Sequence, residues 1–180
     1  MNASHRVRSA ARPMDVYVIR HAIAEERDPE RWPDDSRRPL SPEGEKRFRS
    51  AARGLRRLVP EVDVVFASRY VRAWHTAEIL HEEAGWPHPE PAPVLEPSYP
   101  HATVELLQGR AERSIALVGH EPHLSELASL LVSGDEHALG LELKKGAAVL
   151  LELDVRPAAG TATLRWIATP KILRMLDSSK

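Results

Sequence analysis

Three short apolar runs in this chain each stop abruptly at polar residues and give way to a segment of helical periodicity, and this alternation constrains the fold more than any other feature. Val16 to Ile19 stops at Arg20-His21. After a polar, proline-bearing stretch, Ser41-Pro42-Glu43 supplies an N-cap, a first-turn proline and an acid near the helix dipole. Phe48, Ala51, Ala52, Leu55, Leu58 and Val59 then recur at three- and four-residue spacing until Pro60, with Gly44 and Gly54 weakening the helix slightly by propensity. Asp63 to Ala67 is the next strand; Ser68 reads as the cap of a helix carrying Val71, Trp74, Ala77, Ile79 and Leu80 and ending near Gly85. Ser114 to Val118 ends at Gly119-His120, and Pro122 opens a helix with Leu124, Leu127, Ala128 and Leu131 on one face. Strands alternating with helices predict a mostly parallel sheet covered on both faces.

The remaining segments fit around that frame. Six of the 15 prolines lie between Pro87 and Pro100, so this stretch is an ordered loop in which Val94-Leu95 is expected as a short edge strand. A short helix is expected over Ala102 to Leu107, and Ala147 to Leu153 with Thr163 to Ile167 reads as a hairpin across Arg156 to Thr161. A terminal helix runs near Lys171 to Leu176.

Composition removes several function classes. The 180 residues carry 25 Lys or Arg against 26 Asp or Glu, a net charge of −1, where a nucleic-acid module shows a basic excess. Folding a chain of this length buries roughly 70% of its extended surface, so a full core forms without staples. There is no Cys, which excludes disulfides, Cys-ligated zinc and thiol catalysis. The longest apolar run, Ala147 to Leu151, is far below the roughly 18 residues of a membrane span, and the expected location is cytoplasmic. Residues 1–13 hold Arg6, Arg8 and Arg12 and no acid; they read as a disordered basic tail or an extension from a start codon upstream of Met14, with residues 14–180 as a single domain. Without them the charge becomes 22 − 26 = −4. The 20 Arg against 5 Lys reflect coding bias as readily as chemistry, so position must decide which Arg matter.

Position points to the carboxyl ends of the strands, where ligands bind in open α/β sheets. Arg20-His21, Ser68 through Arg72, and Gly119-His120 would converge there. Two guanidinium forks with two imidazoles suit a phosphoryl group, and the helix starts after Ser68 and at Pro122 favour an anion. Imidazole attacks phosphorus only through an unprotonated nitrogen, and the positive charge around His21 would depress its pKa and keep it free. Arg20, Arg72 and His120 would then stabilise the equatorial oxygens. No metal is required, because the guanidinium groups supply the charge: a unit charge at about 4 Å and an effective dielectric near 20 contributes on the order of 4 kcal/mol before desolvation.

These residues resemble the motifs of the histidine phosphatase superfamily, also called phosphoglycerate mutase-like, and within it the SixA-type phosphohistidine phosphatases. Val18-Ile19-Arg20-His21-Ala22 looks like the opening motif, with Ala where the wider superfamily usually has Gly and the SixA branch often has Ala. Arg38-Pro39-Leu40-Ser41-Pro42-Glu43-Gly44 is similar to the stretch before the first long helix. Ser68 through Ala77 resembles the segment with a Ser, an Arg-Ala four residues later and a Thr-Ala, and Val118-Gly119-His120-Glu121-Pro122 the second histidine motif. The resemblance spans most of residues 15 to 155. It implies a three-layer α/β/α sandwich, no cofactor, His21 as the phosphorylated nucleophile, and Arg20, Arg72 and His120 as the phosphate pocket. Larger members carry a mid-chain acidic proton donor; the nearest counterpart is Glu96, in a poorly matching stretch.

A weak or absent acid favours P–N over P–O substrates, since the imidazole leaving group of phosphohistidine can already carry its proton near neutrality. The expected partner is therefore a phosphorylated protein such as a histidine-phosphotransfer domain. The rivals are a phosphatase for small phosphate esters and a non-catalytic phosphate- or phosphoprotein-binding module. Of the other polar residues, Glu121 reads as structural or as a proton relay, His123 as a cap or rim residue, and Trp32 as a side chain able to line the mouth of the site. His75 and His81 share no face suited to a metal.

Overall fold

The computed structural model describes residues 13–97, 100–153 and 156–178; the proposed tail falls outside these residues except for Pro13. In chain order the elements are β1 (Met14–Arg20), α1 (Pro42–Leu58), β2 (Val64–Ala67), α2 (Val71–Ile79), β3 (Pro89–Pro91), α3 (Pro100–Gln108), β4 (Ser114–Gly119), α4 (His123–Ser133), β5 (Ala148–Leu153), β6 (Ala162–Ala168) and α5 (Pro170–Asp177). They build one six-stranded sheet in the order β3-β2-β4-β1-β5-β6. The first four strands in that order are parallel, and β5 and β6 add antiparallel to the β1 edge.

The period-two alternation of strand side chains sorts the core into two layers. Tyr17 and Ile19 of β1, with Ala116 and Val118 of β4, face α1, α2 and α5. Val16, Val18, Ile115 and Leu117 point to the opposite face and pack with Leu107 of α3 and Leu124, Leu127 and Leu131 of α4. This is the three-layer α/β/α sandwich.

Helix α1 forms where its punctuation lies: the Ser41 hydroxyl accepts the Gly44 N–H at 3.1 Å, Pro42 opens the first turn and Arg56 and Arg57 occupy the last. Its buried stripe is Phe48, Ala51, Ala52 and Leu55. Gly44 and Gly54 are sites of close approach: a Cβ at Gly54 would lie 1.8 Å from the Leu173 carbonyl oxygen of α5, and one at Gly44 2.0 Å from that of Ile23. The propensity lost at these glycines allows α1 to touch α5 and the chain leaving β1.

The edge strand is Pro89–Pro91, whereas Val94-Leu95 belongs to a 3-10 turn over Pro93–Leu95. Only one side of an edge strand needs N–H donors. Prolines 89 and 91 turn their missing donors outward, while Glu90 pairs with Phe66, and Ala92 N–H continues to the Ala67 carbonyl at 2.8 Å. The hairpin of β5 and β6 and the helices 100–108 and 170–177 agree with the periodicity to within two residues at each end. No helix among the described residues is long and apolar enough to cross a membrane.

Candidate active site

The parallel registers of β1, β4 and β2 bring their carboxyl ends level. Arg20 is opposite Gly119, and Ala67 opposite Val118, so the next residues, His21, His120 and Ser68, leave the sheet side by side. His21 N–H donates to the Gly119 carbonyl and Ser68 N–H to the Val118 carbonyl, both at 3.0 Å, which extends the ladder into the loops. The His21 and His120 rings lie 5.2 Å apart; the Tyr70 ring lies 5.0 Å from that of His120, tilted by 60°, and the Arg72 guanidinium carbon lies 5.1 Å from the centre of the Tyr70 ring. His21, Ser68, Arg72 and His120 are all buried, at 0 to 5% exposure.

Hydrogen bonding fixes what each imidazole offers. His21 Nδ1 meets the Ala22 carbonyl at 2.6 Å, and a carbonyl only accepts, so the proton is on Nδ1 and the lone pair on Nε2. The Ser68 hydroxyl accepts the Tyr70 N–H at 3.2 Å and lies 2.8 Å from His120 Nε2. That contact holds the His120 ring with Nδ1 buried and without a partner among the described residues. Ser68 is thus the orienter of His120 more than the cap expected of it; α2 begins after Tyr70.

The guanidinium groups are held from behind. Arg20 donates through Nη1 to the Leu143 carbonyl at 2.5 Å. Arg72 donates to the Asp35 carbonyl at 2.7 Å and to its carboxylate at 2.9 Å. The buried Nε atoms of Arg20 and Arg72 have no partner among the described residues. Asp35 also accepts from Arg38 Nε at 2.8 Å, and Arg38 reaches the Glu25 carbonyl at 2.7 Å. Asp35 and Arg38 are site residues that sequence reasoning did not single out. Arg38 had a signal in the Arg38-Pro39-Leu40 stretch; Asp35 had none, because its role exists only once the loop folds across α2.

Electrostatics follow from this crowding. Burial, then the neighbouring His120, Arg72 and Arg20, lowers His21 from its ordinary value to about 2. Burial and Arg72 lower His120 to about 3. Burial pulls even Arg72 down, against the pull of Asp35. Asp35 is held below the usual carboxylate range, first by Arg38 and also by Arg72. The pocket therefore gathers two neutral imidazoles and the unpartnered Nε donors of Arg20 and Arg72, an environment that an oxyanion completes.

The two depressed histidines have a consequence for stability. An unfolded chain titrates them near pH 6.5 while the native state stays unprotonated to about pH 3, so the unfolded state binds more protons as pH falls through that window. Stability is fully present above pH 6.5 and is lost on acidification. Urea unfolding in phosphate-free buffer is expected to give a ΔG lower at pH 5 than at pH 7 by on the order of 2–4 kcal/mol. The double substitution His21→Gln, His120→Gln should flatten that dependence; equal wild-type stability at the two pH values would contradict the buried neutral pair.

Glu96 forms a surface pair with Arg69 at 2.7 Å and makes no hydrogen bond to either histidine. Glu121 is half-buried; burial raises its carboxyl pKa, Ser125 donates to Oε2 at 2.6 Å, and Oε1 is buried without a partner. His123, expected as a cap or rim residue, is 2% exposed and joins α4 to α3: Thr103 donates to the Val94 carbonyl and its oxygen faces His123 Nε2 at 3.0 Å. Trp32 lines a depression of about 480 Å³ with Arg37 and Val71, next to the loop that carries Asp35. Among the described residues no group of three His, Asp or Glu side chains is placed to hold a metal ion.

The comparisons with known proteins agree with this geometry. A family model described as the histidine phosphatase superfamily (branch 1) matches residues 16–96. An uncharacterized protein of Picosynechococcus sp. is 33% identical over 146 residues, covering 75% of this chain and 87% of its own. The structure of the protein histidine phosphatase SixA complexed with tungstate superposes with a TM-score of 0.77 at 25% identity, over 89% of this chain and 99% of that one. A SixA structure from Agrobacterium tumefaciens shares the fold at a TM-score of 0.72 and 19% identity, over 87% and 98% of the two chains. With its two histidine motifs meeting at one sheet edge in this three-layer fold, the chain belongs to the histidine phosphatase superfamily, as a phosphatase of the SixA type.

Proposed function

We propose that this protein removes phosphoryl groups from protein phosphohistidine in two displacements, with His21 as the covalent acceptor. The observation that carries the reading is the His21 ring, pinned through Nδ1 with Nε2 unprotonated inside a buried ring of N–H donors. In the first displacement Nε2 attacks phosphorus in line, the substrate P–N bond breaks, and the leaving imidazole departs with the proton it already carries. Arg20, Arg72 and His120 take the charge that builds on the equatorial oxygens, with Arg38 beside them. Water then attacks the phosphohistidine of the enzyme and releases inorganic phosphate. Guanidinium and imidazole donors carry this charge without a metal ion. The tungstate held by the SixA neighbour is an oxyanion of the same tetrahedral kind. The partner in this reading is a phosphorylated histidine-phosphotransfer domain, encountered in the cytoplasm.

Glu96 fits poorly as the proton donor, because its carboxylate is engaged with Arg69. Glu121 favours the second reading, hydrolysis of small phosphate esters: it follows His120 directly and burial favours its protonated form, which an alkoxide leaving group would need. The test compares kcat/KM for a phosphorylated histidine-phosphotransfer domain with a panel of sugar and amino-acid phosphate esters, in wild type and Glu121→Gln, with and without chelator. The expected result is a preference of at least about 10²-fold for phosphohistidine, unchanged by chelator, with Glu121→Gln lowering ester hydrolysis alone by about 10²-fold. Faster turnover of an ester than of phosphohistidine would decide for the second reading.

A further inference from the structure

A groove of about 610 Å³ begins at Arg20 and runs toward the start of α5, and its lining is strongly basic. Arg20, Lys144, Lys145, Lys171 and Arg174 face it against a single acid, Glu142. Three of the five lysines in the chain are gathered here. On α1, Arg47, Arg49 and Arg53 are each ion-paired. In contrast, Lys144, Lys145, Lys171 and Arg174 have no carboxylate partner among the described residues. The first turn of α5 carries Lys171 and no acid, the reverse of what the helix dipole favours. Like charges gathered without partners cost stability, so the arrangement is suited to an incoming anion.

The groove is also mechanically continuous with the catalytic pocket. Gly146 N–H donates to the carbonyls of Arg20 at 3.1 Å and His21 at 3.0 Å, while Arg20 donates back to Leu143. The segment carrying Lys144 and Lys145 is thereby fastened to the end of β1. Lys145 lines the groove, and desolvation, then the charges of Arg20, Arg38 and Arg72, lower its pKa.

We propose that this groove is a subsite for acidic side chains that flank the phosphohistidine of a protein substrate. The inference rests on the phosphohistidine reading above. It favours a protein over a small bis-anion because the groove is open and far larger than one extra phosphate requires, and because α5 also exposes Met175 at 62%, one turn from Lys171, and Ile172 at 46%. Rim charges of this kind act on encounter and specificity more than on chemistry.

The test uses three substrates: p-nitrophenyl phosphate, and two phosphohistidine peptides of equal length with acidic or neutral flanking residues. Wild type should prefer the acidic peptide by about 10-fold in kcat/KM at low salt, as three modest rim pairs together supply, and the preference should shrink as salt rises. The triple variant Lys144→Glu, Lys171→Glu, Arg174→Glu should lose it while kcat/KM for p-nitrophenyl phosphate stays within about two-fold, rim charges acting mainly on association. The milder Lys144→Ser, Lys171→Ser, Arg174→Ser variant guards against misfolding. Equal use of both peptides by wild type, or a preference that survives in both variants, overturns the subsite. If neither peptide turns over, the phosphohistidine reading fails by itself. Competition against p-nitrophenyl phosphate then decides the groove: the unphosphorylated acidic peptide should inhibit wild type at least about 10-fold better than the variants, and equal inhibition overturns it. A small bisphosphate that the variants discriminate while the acidic peptide is ignored also overturns it, in favour of a small-molecule substrate.

Discussion

His21→Ala is expected to lower kcat by roughly 10⁴–10⁶-fold, the range seen when a covalent nucleophile is removed. The size of the effect follows from geometry. Nε2 is the one ring nitrogen of His21 with a free lone pair, because Nδ1 is committed to the Ala22 carbonyl. His120 is not expected to substitute, since the Ser68 hydroxyl holds its Nε2. Incubation with labelled substrate and an acid-free quench should trap phosphate on wild type as an acid-labile, base-stable phosphoramidate, and none on His21→Ala. His120→Ala should still form the adduct, with kcat lower by about 10²–10³-fold, because only a charge-stabilising donor is gone. A protein that binds phosphate and never becomes labelled would be a binding module. Near-neutral pH should matter little to His21 itself: with its value lowered to about 2, the acid limb of kcat/KM reports the substrate or another group.

The second large effect is expected at Arg72. Arg72→Ala should cost about 10²–10³-fold in kcat/KM, on the order of 3–4 kcal/mol of transition-state stabilisation. Arg72→Lys should recover little of it. The guanidinium has to reach the Asp35 carbonyl and carboxylate with two nitrogens while leaving Nε for the phosphoryl oxygen, and an ammonium has no such fork. Asp35→Ala separates positioning from contact. It removes the carboxylate that holds both Arg72 and Arg38, so KM should rise several-fold with a smaller change in kcat, and the phosphoenzyme should still form. If Asp35→Ala instead matched Arg72→Ala in kcat, the tether would be more than a positioning device.

The frame of the molecule could be read from local rules because those rules are local in origin. Ser41-Pro42 marks the start of α1 by capping chemistry confined to one turn, and the apolar spacing from Phe48 to Leu55 reports the one face that must be buried. Strand ends at Arg20, Ala67 and Gly119 were legible because burial on both sheet faces demands uninterrupted apolar residues and ends with them. Val94-Leu95 misled for a related reason. Two β-branched or aliphatic residues suit a strand, yet which segment pairs with β2 is decided by the donor pattern of an edge, and alternating prolines at 89 and 91 satisfy it. Gly54 likewise looked like a weakness until α5 was seen to pass within contact of it.

By itself the sequence determined that a mostly parallel sheet would carry Arg20-His21, Arg72 and Gly119-His120 at strand ends, and that cysteine chemistry was absent. It also carried the four motifs that mark the superfamily. The tertiary structure alone decided the partner of each imidazole, the Ala22 carbonyl for His21 and, for His120, Ser68, 52 residues away in the chain. It alone decided that Asp35 binds two arginines, that His123 is a buried strut, and that Lys144, Lys145, Lys171 and Arg174 share one groove. Charge and hydrogen-bond partnership act through space over a few ångströms, and residues that distant in the chain acquire a relation only when the sheet has set their register.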